Sequence, residues 1–316
     1  ENIAIYGQYN FPVSNSINIE VGLRAETRDA DYTDNNGPIP EDFVCITIYP
    51  KPESCLFDNE YKNSEDFWGG KIVIQNQINK NLFRYFLISK GYKPGGINIA
   101  GNVDKNNLKY NSETMINYEF GVKGNINKNM LFQTAIFYQD RDDVQTKQSI
   151  VKSISSGEQG GLCPCSFTDY IGNAVKGSNY GLEFEFLWLV NNNLDLFLNI
   201  GLLETEFKNY LSFSHVDANL ADATPVNLSG RDQSHAPQYQ FNIGFKYRVS
   251  EALSINFDIE AKDEFYFSDR HNLQSDEYLL LNIVFNYQKD DWEINLFGKN
   301  LSDEDTQTRG FGSFGN

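Results

Sequence analysis

Residues 238–262 form two stretches in which every second residue is apolar. Tyr239, Phe241 and Ile243 alternate with polar residues in the first stretch, and the pattern restarts after a turn at residues 250–252. Because successive side chains of a strand point to opposite faces, each stretch predicts a strand with one apolar and one polar face. Strands this long and this aromatic on one face fit a membrane β-barrel with lipid outside and water inside.

The same alternation recurs along the whole chain and predicts an all-β protein. Nearly all charged residues of the alternating segments fall on the polar side, as expected if a charge facing lipid costs about 2–4 kcal/mol at mid-membrane. Twelve segments follow the pattern, at residues 2–12, 17–30, 69–78, 82–91, 113–126, 130–145, 176–190, 194–207, 237–249, 253–267, 277–288 and 292–302. They predict an antiparallel, up-and-down transmembrane sheet of about 12 strands that belongs to a larger barrel.

Short and long connections alternate strictly between the predicted strands. Six connections of three or four residues are rich in Asn, Ser, Asp and Lys, as tight hairpins require. The others are long, apart from 268–276, and cover approximately residues 31–68, 92–112, 146–175 and 208–236. Outer-membrane barrels have short periplasmic turns and long extracellular loops, whereas a soluble sandwich has no reason to keep its long loops on one side.

Charged residues at inward-pointing positions are the candidates for lining the lumen or its mouth. They are Arg24, Glu26, Arg28, Glu119, Lys123, Glu183, Glu185, Lys246, Asp258, Glu260, Glu293 and Lys299. Arg84 lies in a less regular segment and is compatible with an inward position. Asp140, Asp142 and Asp143 either line the mouth or belong to a solvated strand top, and the second interpretation is favoured.

The chain of 316 residues is acidic, with 43 Asp and Glu against 26 Lys and Arg and a net charge of -17. Phosphate binding needs a basic surface, so nucleic acid is not an expected partner. Solvated loops explain the acidity, and an acidic mouth that attracts cationic or metal-bearing ligands is the alternative. Aromatic residues make up 14% of the chain, which suits lipid-facing positions and interfacial girdles.

The directions of the predicted strands bear on the completeness of the barrel. The first strand is followed by a short turn and the twelfth follows one, so both ends of the chain are expected at the extracellular rim. Complete bacterial barrels keep both termini on the periplasmic side, so we expect strands before Glu1 and at least one after Asn316. The chain also starts directly in strand pattern, without the signal peptide of an exported precursor.

Four local sequences resemble the C-terminal barrel of TonB-dependent outer-membrane receptors. Residues 89–98, SKGYKPGGIN, are similar to the S-x-G-Y-K-P-G-G-F-N stretch of one large branch, and residues 117–123 are similar to the Y-E-x-G-x-K strand that follows it. The Ala-Pro pair at 236–237 and the sequence GKNLSD at 298–303 resemble the strand entry and the N-L-x-D box of the family. In this order and spacing the four are specific, and the resemblance covers essentially the whole chain.

The resemblance implies the wall and outer loops of an active importer of a scarce nutrient, without catalysis and without a cofactor. Family members have 22-stranded barrels with a plugged lumen, and the plug and its TonB box couple uptake to the inner membrane. Residues 1–316 would then be one barrel domain that lacks the plug, the early strands and the last strand. Expected partners are the bilayer and lipopolysaccharide of a Gram-negative outer membrane, a small ligand such as a ferric siderophore, and TonB through the plug region. A passive porin-type channel is the alternative.

Four cysteines fall in predicted extracellular loops, and export through an oxidising periplasm favours disulfides. Cys45 and Cys55 are the preferred pair, and a bridge between Cys163 and Cys165 would close a strained, small ring. Zinc ligation is the alternative, although the spacings fit no common zinc pattern.

The three histidines, His215, His235 and His271, lie in predicted loops or at strand tops. A role in contacting metal or haem is one interpretation, and solvated loop residues are the favoured one. Nothing in the spacing of His235 or His271 relative to Ser234 or Ser268 supports a hydrolase constellation. No enzymatic activity is expected.

Overall fold

The structure is a computed structural model that describes residues 1–34, 59–98, 103, 107–156, 162–213, 225–269 and 271–310. Strands dominate these residues. Within the described ranges, no helix is long and apolar enough to cross a membrane.

Sixteen strands are described. They are β1 (Asn2–Pro12), β2 (Ile17–Asp34), β3 (Asn59–Asn79), β4 (Leu82–Lys93), β5 (Gly96–Ile97), β6 (Lys109–Tyr110), β7 (Glu113–Asn127), β8 (Met130–Ser156), β9 (Leu162–Leu189), β10 (Leu194–Lys208), β11 (Leu211–Phe213), β12 (Pro225–Asn227), β13 (Tyr239–Arg248), β14 (Leu253–Lys262), β15 (Tyr278–Lys289) and β16 (Trp292–Gly298). Twelve form one sheet in the order β1-β2-β3-β4-β7-β8-β9-β10-β13-β14-β15-β16, and the short pairs β5-β6 and β11-β12 lie outside it. Every pairing is antiparallel, which confirms the predicted up-and-down architecture, and the sheet is open with β1 and β16 at its edges.

The short turns at one end of the sheet are closed by their own side chains. Asn79, Asn127 and Asn191 each accept a hydrogen bond at Oδ1 from the backbone N–H two residues later, at 2.8 Å. Ser14 and Ser250 act similarly through Oγ, at 3.1 Å from the N–H three residues later. Such side-chain turns explain why the predicted tight connections are rich in Asn and Ser.

The two faces of the sheet differ as the alternation predicts. One cross-strand row on the apolar face is continuous over nine strands and consists of Phe11, Ile19, Ile74, Phe86, Phe120, Ile136, Leu182, Leu202 and Tyr239. The neighbouring row on the polar face consists of Asn18, Gln75, Tyr85, Gly121, Ala135, Glu183, Gly201, Gln240 and Lys262. We call the two sides of the sheet that carry these rows the apolar face and the polar face.

The rows also show how the strands are staggered. The apolar row starts at Phe11, near the end of β1, and reaches Tyr239, the first residue of β13. Each strand is therefore offset from the one before it, which is the shear that a closed barrel requires. In β10 the apolar face runs from Leu194 to Leu202, or about 20 Å along a barrel axis for strands tilted by roughly 40°. That height suits an outer membrane.

Several strands are longer than their alternation predicts. β8 continues to Ser156 and β9 begins at Leu162, so most of the connection expected at 146–175 is a hairpin of paired strands. β3 likewise begins at Asn59 rather than 69, whereas β14 and β16 end early, at Lys262 and Gly298. Both faces of a hairpin that extends beyond the apolar rows would meet water, so the alternation seen in the rest of the strand is not expected there.

Candidate functional site on the polar face

Eleven of the twelve predicted lumen or mouth residues lie in strands at polar-face positions, and Lys299 directly follows β16. They fall into three groups, at the loop end, in the middle and at the turn end of the sheet. A role in lining a lumen stays a prediction, because the described sheet is open.

The loop-end group forms hydrogen bonds with the end of β4 and with the connection that follows it. Tyr92 donates its hydroxyl hydrogen to Glu26 at 2.7 Å, and Arg24 Nε donates to the same carboxylate at 3.0 Å. Arg28 donates to the backbone oxygen of Gly95 at 2.9 Å. These three charged residues therefore hold the start of the connection against the wall.

The Pro-Gly-Gly stretch of that connection has a geometric role. A Cβ added to Gly95 would lie 2.4 Å from the backbone oxygen of Tyr110, and one added to Gly96 would lie 2.4 Å from the hydroxyl oxygen of Tyr110. Asn98 then bonds the backbone N–H and carbonyl of Ile171 in β9, both at 2.8 Å. The stretch thus lets the connection pass close to the wall and attach to a distant strand.

The middle of the polar face contains a depression of about 410 Å³ that we call the central recess. Its floor includes Gly201, whose lack of a side chain leaves room between the neighbouring strands. The polar residues that line it are Glu183, Glu185, Asn199, Gln240, Asn242, Glu260 and Lys262.

A smaller depression of about 110 Å³ adjoins the central recess and shares Glu183 and Glu185 with it. Tyr85 crosses it and donates its hydroxyl hydrogen to Glu119 at 2.5 Å. A Cβ on Gly121 would lie 2.2 Å from the Tyr85 ring, so only glycine allows the ring to lie across β7.

The two recesses are rich in negative charge. Four carboxylates line them, those of Glu119, Glu183, Glu185 and Glu260, together with the side chains of Lys123 and Lys262. No carboxylate of this set has a Lys or Arg nitrogen within 4.0 Å among the residues that the structure describes. Such a cluster favours a cationic group as its occupant.

The turn-end group is more dispersed. Asp258 accepts hydrogen bonds from the side-chain amides of Asn242, at 3.2 Å, and Asn282, at 2.9 Å. Lys246 lies between Asp195 and an asparagine on the neighbouring strands, and Glu293 is exposed at the start of β16. This group shows no recess comparable with the central one among the described residues.

A hydrogen-bonded cluster at the loop end could not be predicted from the sequence. We call it the rim network, and it consists of Glu113, Arg141, Asn179, Thr205 and Gln233. Arg141 Nε donates to Glu113 at 2.8 Å, and Arg141 also donates to the side chain of Gln233. Gln233 in turn donates to Asn179 at 2.7 Å, and its backbone N–H donates to Thr205 at 2.9 Å. The alternation places Glu113 and Arg141 on the polar face, but no local signal identifies Gln233, which comes from a connection.

The residues before Gln233 join two connections together. Arg231 stacks on the ring of Tyr266, at 3.9 Å from its centroid, and donates to Asn272 at 2.7 Å. Burial raises the pKa of the neighbouring Asp232, and a hydrogen bond from Gln238 opposes this shift only in part. This connection is therefore tied both to the wall and to the adjacent loop.

The inward position suggested for Arg84 is wrong, and the less favoured interpretation of Asp140 and Asp142, as residues that line the mouth, is contradicted. Arg84 lies on the apolar face, opposite Asn76 and bonded to it at 3.0 Å, because the neighbouring Tyr85 takes the polar face. Asp140 and Asp142 are on the same side as Arg84, and Asp142 pairs with Lys176 at 2.9 Å, so neither lines a mouth. Arg84 is near the start of β4, and Asp140 and Asp142 lie beyond the apolar row toward the loop end of β8, so each charge can reach water.

The part of the chain that the structure describes shows no site built on cysteine or histidine. Cys163 and Cys165 belong to β9 rather than to the predicted loop, and their side chains lie outside the described residues. Cys45 and Cys55, and His215, also lie outside them, so the disulfide pairing stays a prediction. The described residues contain no group of His, Cys, Asp and Glu suited to a metal ion.

A staggered antiparallel sheet with a continuous apolar row on one face and charged recesses on the other defines the wall of a membrane β-barrel. The family model "TonB dependent receptor-like, beta-barrel" matches residues 1–301, and the chain belongs to this family. The family is one of Gram-negative outer-membrane proteins, and the resemblance noted in the sequence is confirmed.

Solved structures show the same fold at low identity. The ferric yersiniabactin uptake receptor FyuA from Yersinia pestis is 18% identical, with a TM-score of 0.74 over 99% of this chain and 42% of that one. The siderophore receptor PiuA from Acinetobacter baumannii is 15% identical, with a TM-score of 0.73 over 99% and 40%. The copper transporter OprC is 11% identical, with a TM-score of 0.68 over 96% and 43%. The chain thus spans about two fifths of the proteins it matches.

Proposed function

We propose that the chain forms part of the barrel wall and the outer loops of a ligand-gated importer in the outer membrane of a Gram-negative bacterium. The observation that carries the proposal is the set of four recess carboxylates without a basic partner among the described residues. Glu183, Glu185 and Glu260 are exposed in the open sheet, and a plug that fills the lumen would enclose them. A carboxylate that is enclosed without a counter-charge is costly. A plug that fills the lumen can supply cationic side chains to these carboxylates. In a water-filled channel water solvates the carboxylates, so cationic partners are not needed.

We infer that the cargo is a scarce nutrient, with a ferric siderophore as the first candidate. Two of the three structures compared are described as receptors for siderophore iron and one as a copper transporter, so the fold favours metal uptake without selecting the metal. Energy would come from TonB through a plug region outside these residues. No described residue suggests catalysis or nucleic-acid binding.

The open edges of the sheet support a further part of the proposal, that other strands complete the barrel around a single lumen. The continuous apolar row would then face the lipid bilayer, and its loop end would face lipopolysaccharide.

The test measures uptake of a radiolabelled ferric siderophore by cells that lack the gene and by cells complemented with the full-length gene. We expect uptake only in the complemented cells, and we expect a protonophore or the deletion of TonB to abolish it. Uptake that persists without TonB would indicate a passive porin. Parallel growth under iron limitation and under cobalamin limitation identifies the class of cargo.

Variants of the recess test the observation itself. The double change Glu183→Gln and Glu185→Gln should lower energised uptake at least tenfold, because it removes the charges that would bind the plug. Glu293→Gln changes a carboxylate on the same face at its exposed turn end and should leave uptake within twofold. Equal uptake by both, at equal amounts of receptor in the outer membrane, would contradict the role of the recess.

A further inference from the structure

The apolar face carries a groove between β1, β2 and β3, of about 340 Å³ and with an almost entirely apolar lining. Gly7 and Gly69 are among the residues that line it, and Leu23 lies beside Gly7 in one cross-strand row. Ile5 and Trp68 flank Ala25 in the next row and form the upper wall. If a methylene group takes about the 30 Å³ of a water molecule in the liquid, the groove holds roughly ten carbon atoms.

A single ammonium group stands at the rim of this groove. Lys90 is paired in register with Gly70, and its Nζ lies 3.6 Å from the centroid of the ring of Trp68, which lines the groove. No Asp or Glu oxygen lies within 4.0 Å of Lys90 among the described residues. A cation at the loop end of the apolar face costs only about 0–1 kcal/mol in lipid, and a contact with an anion from the membrane would stabilise it there.

The height of the groove along the sheet indicates which leaflet of the membrane it would face. Lys90 is eight residues from the start of β4 at Leu82, or about 20 Å above the turn end of the sheet for a strand tilted by roughly 40°. Trp68 is eleven residues from the turn end of β3 at Asn79 and is therefore somewhat higher, at about 28 Å by the same conversion. An apolar groove below an unpaired cation and an aromatic ring matches one acyl chain below the phosphate of an outer-leaflet lipid.

We propose that this groove binds an acyl chain of lipopolysaccharide, with a phosphate of its lipid A part at Lys90. The proposal rests on the outer-membrane location given under the proposed function. It commits to the outer-leaflet glycolipid, because the cation and the ring lie at the loop end of the sheet and not at the turn end.

The test titrates the purified, delipidated full-length receptor with defined lipid A and follows the bound lipid by native mass spectrometry. Lys90→Ala removes the cation. Gly7→Leu fills the groove, and nothing lies within 4 Å of a Cβ at this position, so the change is sterically compatible with the fold. We expect each variant to weaken lipid A binding at least tenfold. Lys176→Ala is the matched control, since Lys176 is on the same face but paired with Asp142, and it should stay within twofold.

Unchanged binding by Lys90→Ala and Gly7→Leu would overturn the proposal, and so would equal binding of dioleoylphosphatidylglycerol, which would indicate a site for glycerophospholipids. Resistance of the folded barrel to unfolding in detergent at room temperature shows that each variant is folded. Siderophore uptake by the same variants is measured in parallel. A variant that loses lipid A binding but keeps wild-type uptake separates the groove from the importer role. If the wild-type receptor itself shows no siderophore uptake, that result contradicts only the importer role.

Discussion

The replacement Arg141→Met should release the connection at residues 228–237 from the wall without unfolding the barrel. Arg141 donates to Glu113, whose side chain is only 9% exposed, and to Gln233. The contact with Glu113 lies within the wall, so it is the bond to Gln233 that attaches the connection. A hydrogen bond to a charged group contributes about 1.5–3 kcal/mol, which is the expected change in the free energy of local opening.

Amide hydrogen exchange of the full-length receptor measures that opening directly. The Gln233 N–H donates to Thr205 at 2.9 Å and the Gly230 N–H donates to Phe207 at 2.8 Å, so both report whether the connection is attached. A change of about 1.5–3 kcal/mol predicts exchange faster by roughly 10- to 150-fold at these amides. Arg248→Met breaks a comparable pair with Asp195 at the turn end and should leave both amides protected. Unchanged exchange in Arg141→Met, or faster exchange throughout the strands, would refute the reasoning.

Three further outcomes are expected. Gly121→Ala should destabilise the barrel by about 1–3 kcal/mol, because the added Cβ would clash with the Tyr85 ring. Gly91→Ala adds a Cβ in open space and should not destabilise it, and thermal unfolding measures the stability of both variants. Ile243→Arg on the apolar face should cost about 2–4 kcal/mol in a lipid-refolding titration and Asn242→Arg on the polar face much less, and equal costs would reverse the assignment of the faces. The raised pKa of Asp232 means that its contribution to stability is present at low pH and is lost as the pH rises through that pKa, so Asp232→Asn should flatten the pH dependence of exchange in this connection once intrinsic rates are corrected.

The spans were predictable from sequence because lipid imposes a strict two-residue period on them. The alternation alone identifies Ile136 and Leu182 as apolar-face residues, and their pairing in the sheet agrees. The same rule fails where lipid ends. Asp140 and Asp142 keep the two-residue alternation and lie on the same side of β8 as Ile136, but they are beyond the apolar row toward the loop end. Their side of the sheet therefore could not be predicted from their charge alone.

The site was predictable only in part. Glu183 and Glu185 follow from the alternation, but the space in front of them depends on Gly201 in another strand. The attachment of Gln233 to Arg141 joins residues far apart in the chain, and such a contact leaves no local pattern.

The stagger of the rows has a consequence for how such a chain can change in length. A shift by one residue exchanges the two faces of a strand, whereas a shift by two restores them. The irregular pairings agree with this parity: those next to Asn79 and Asn127 lie beside turns, and those near Ser153 lie far above the apolar rows. Insertions and deletions within the spans should therefore be inherited in pairs of residues, while single-residue changes accumulate at the turns and in the outer hairpins.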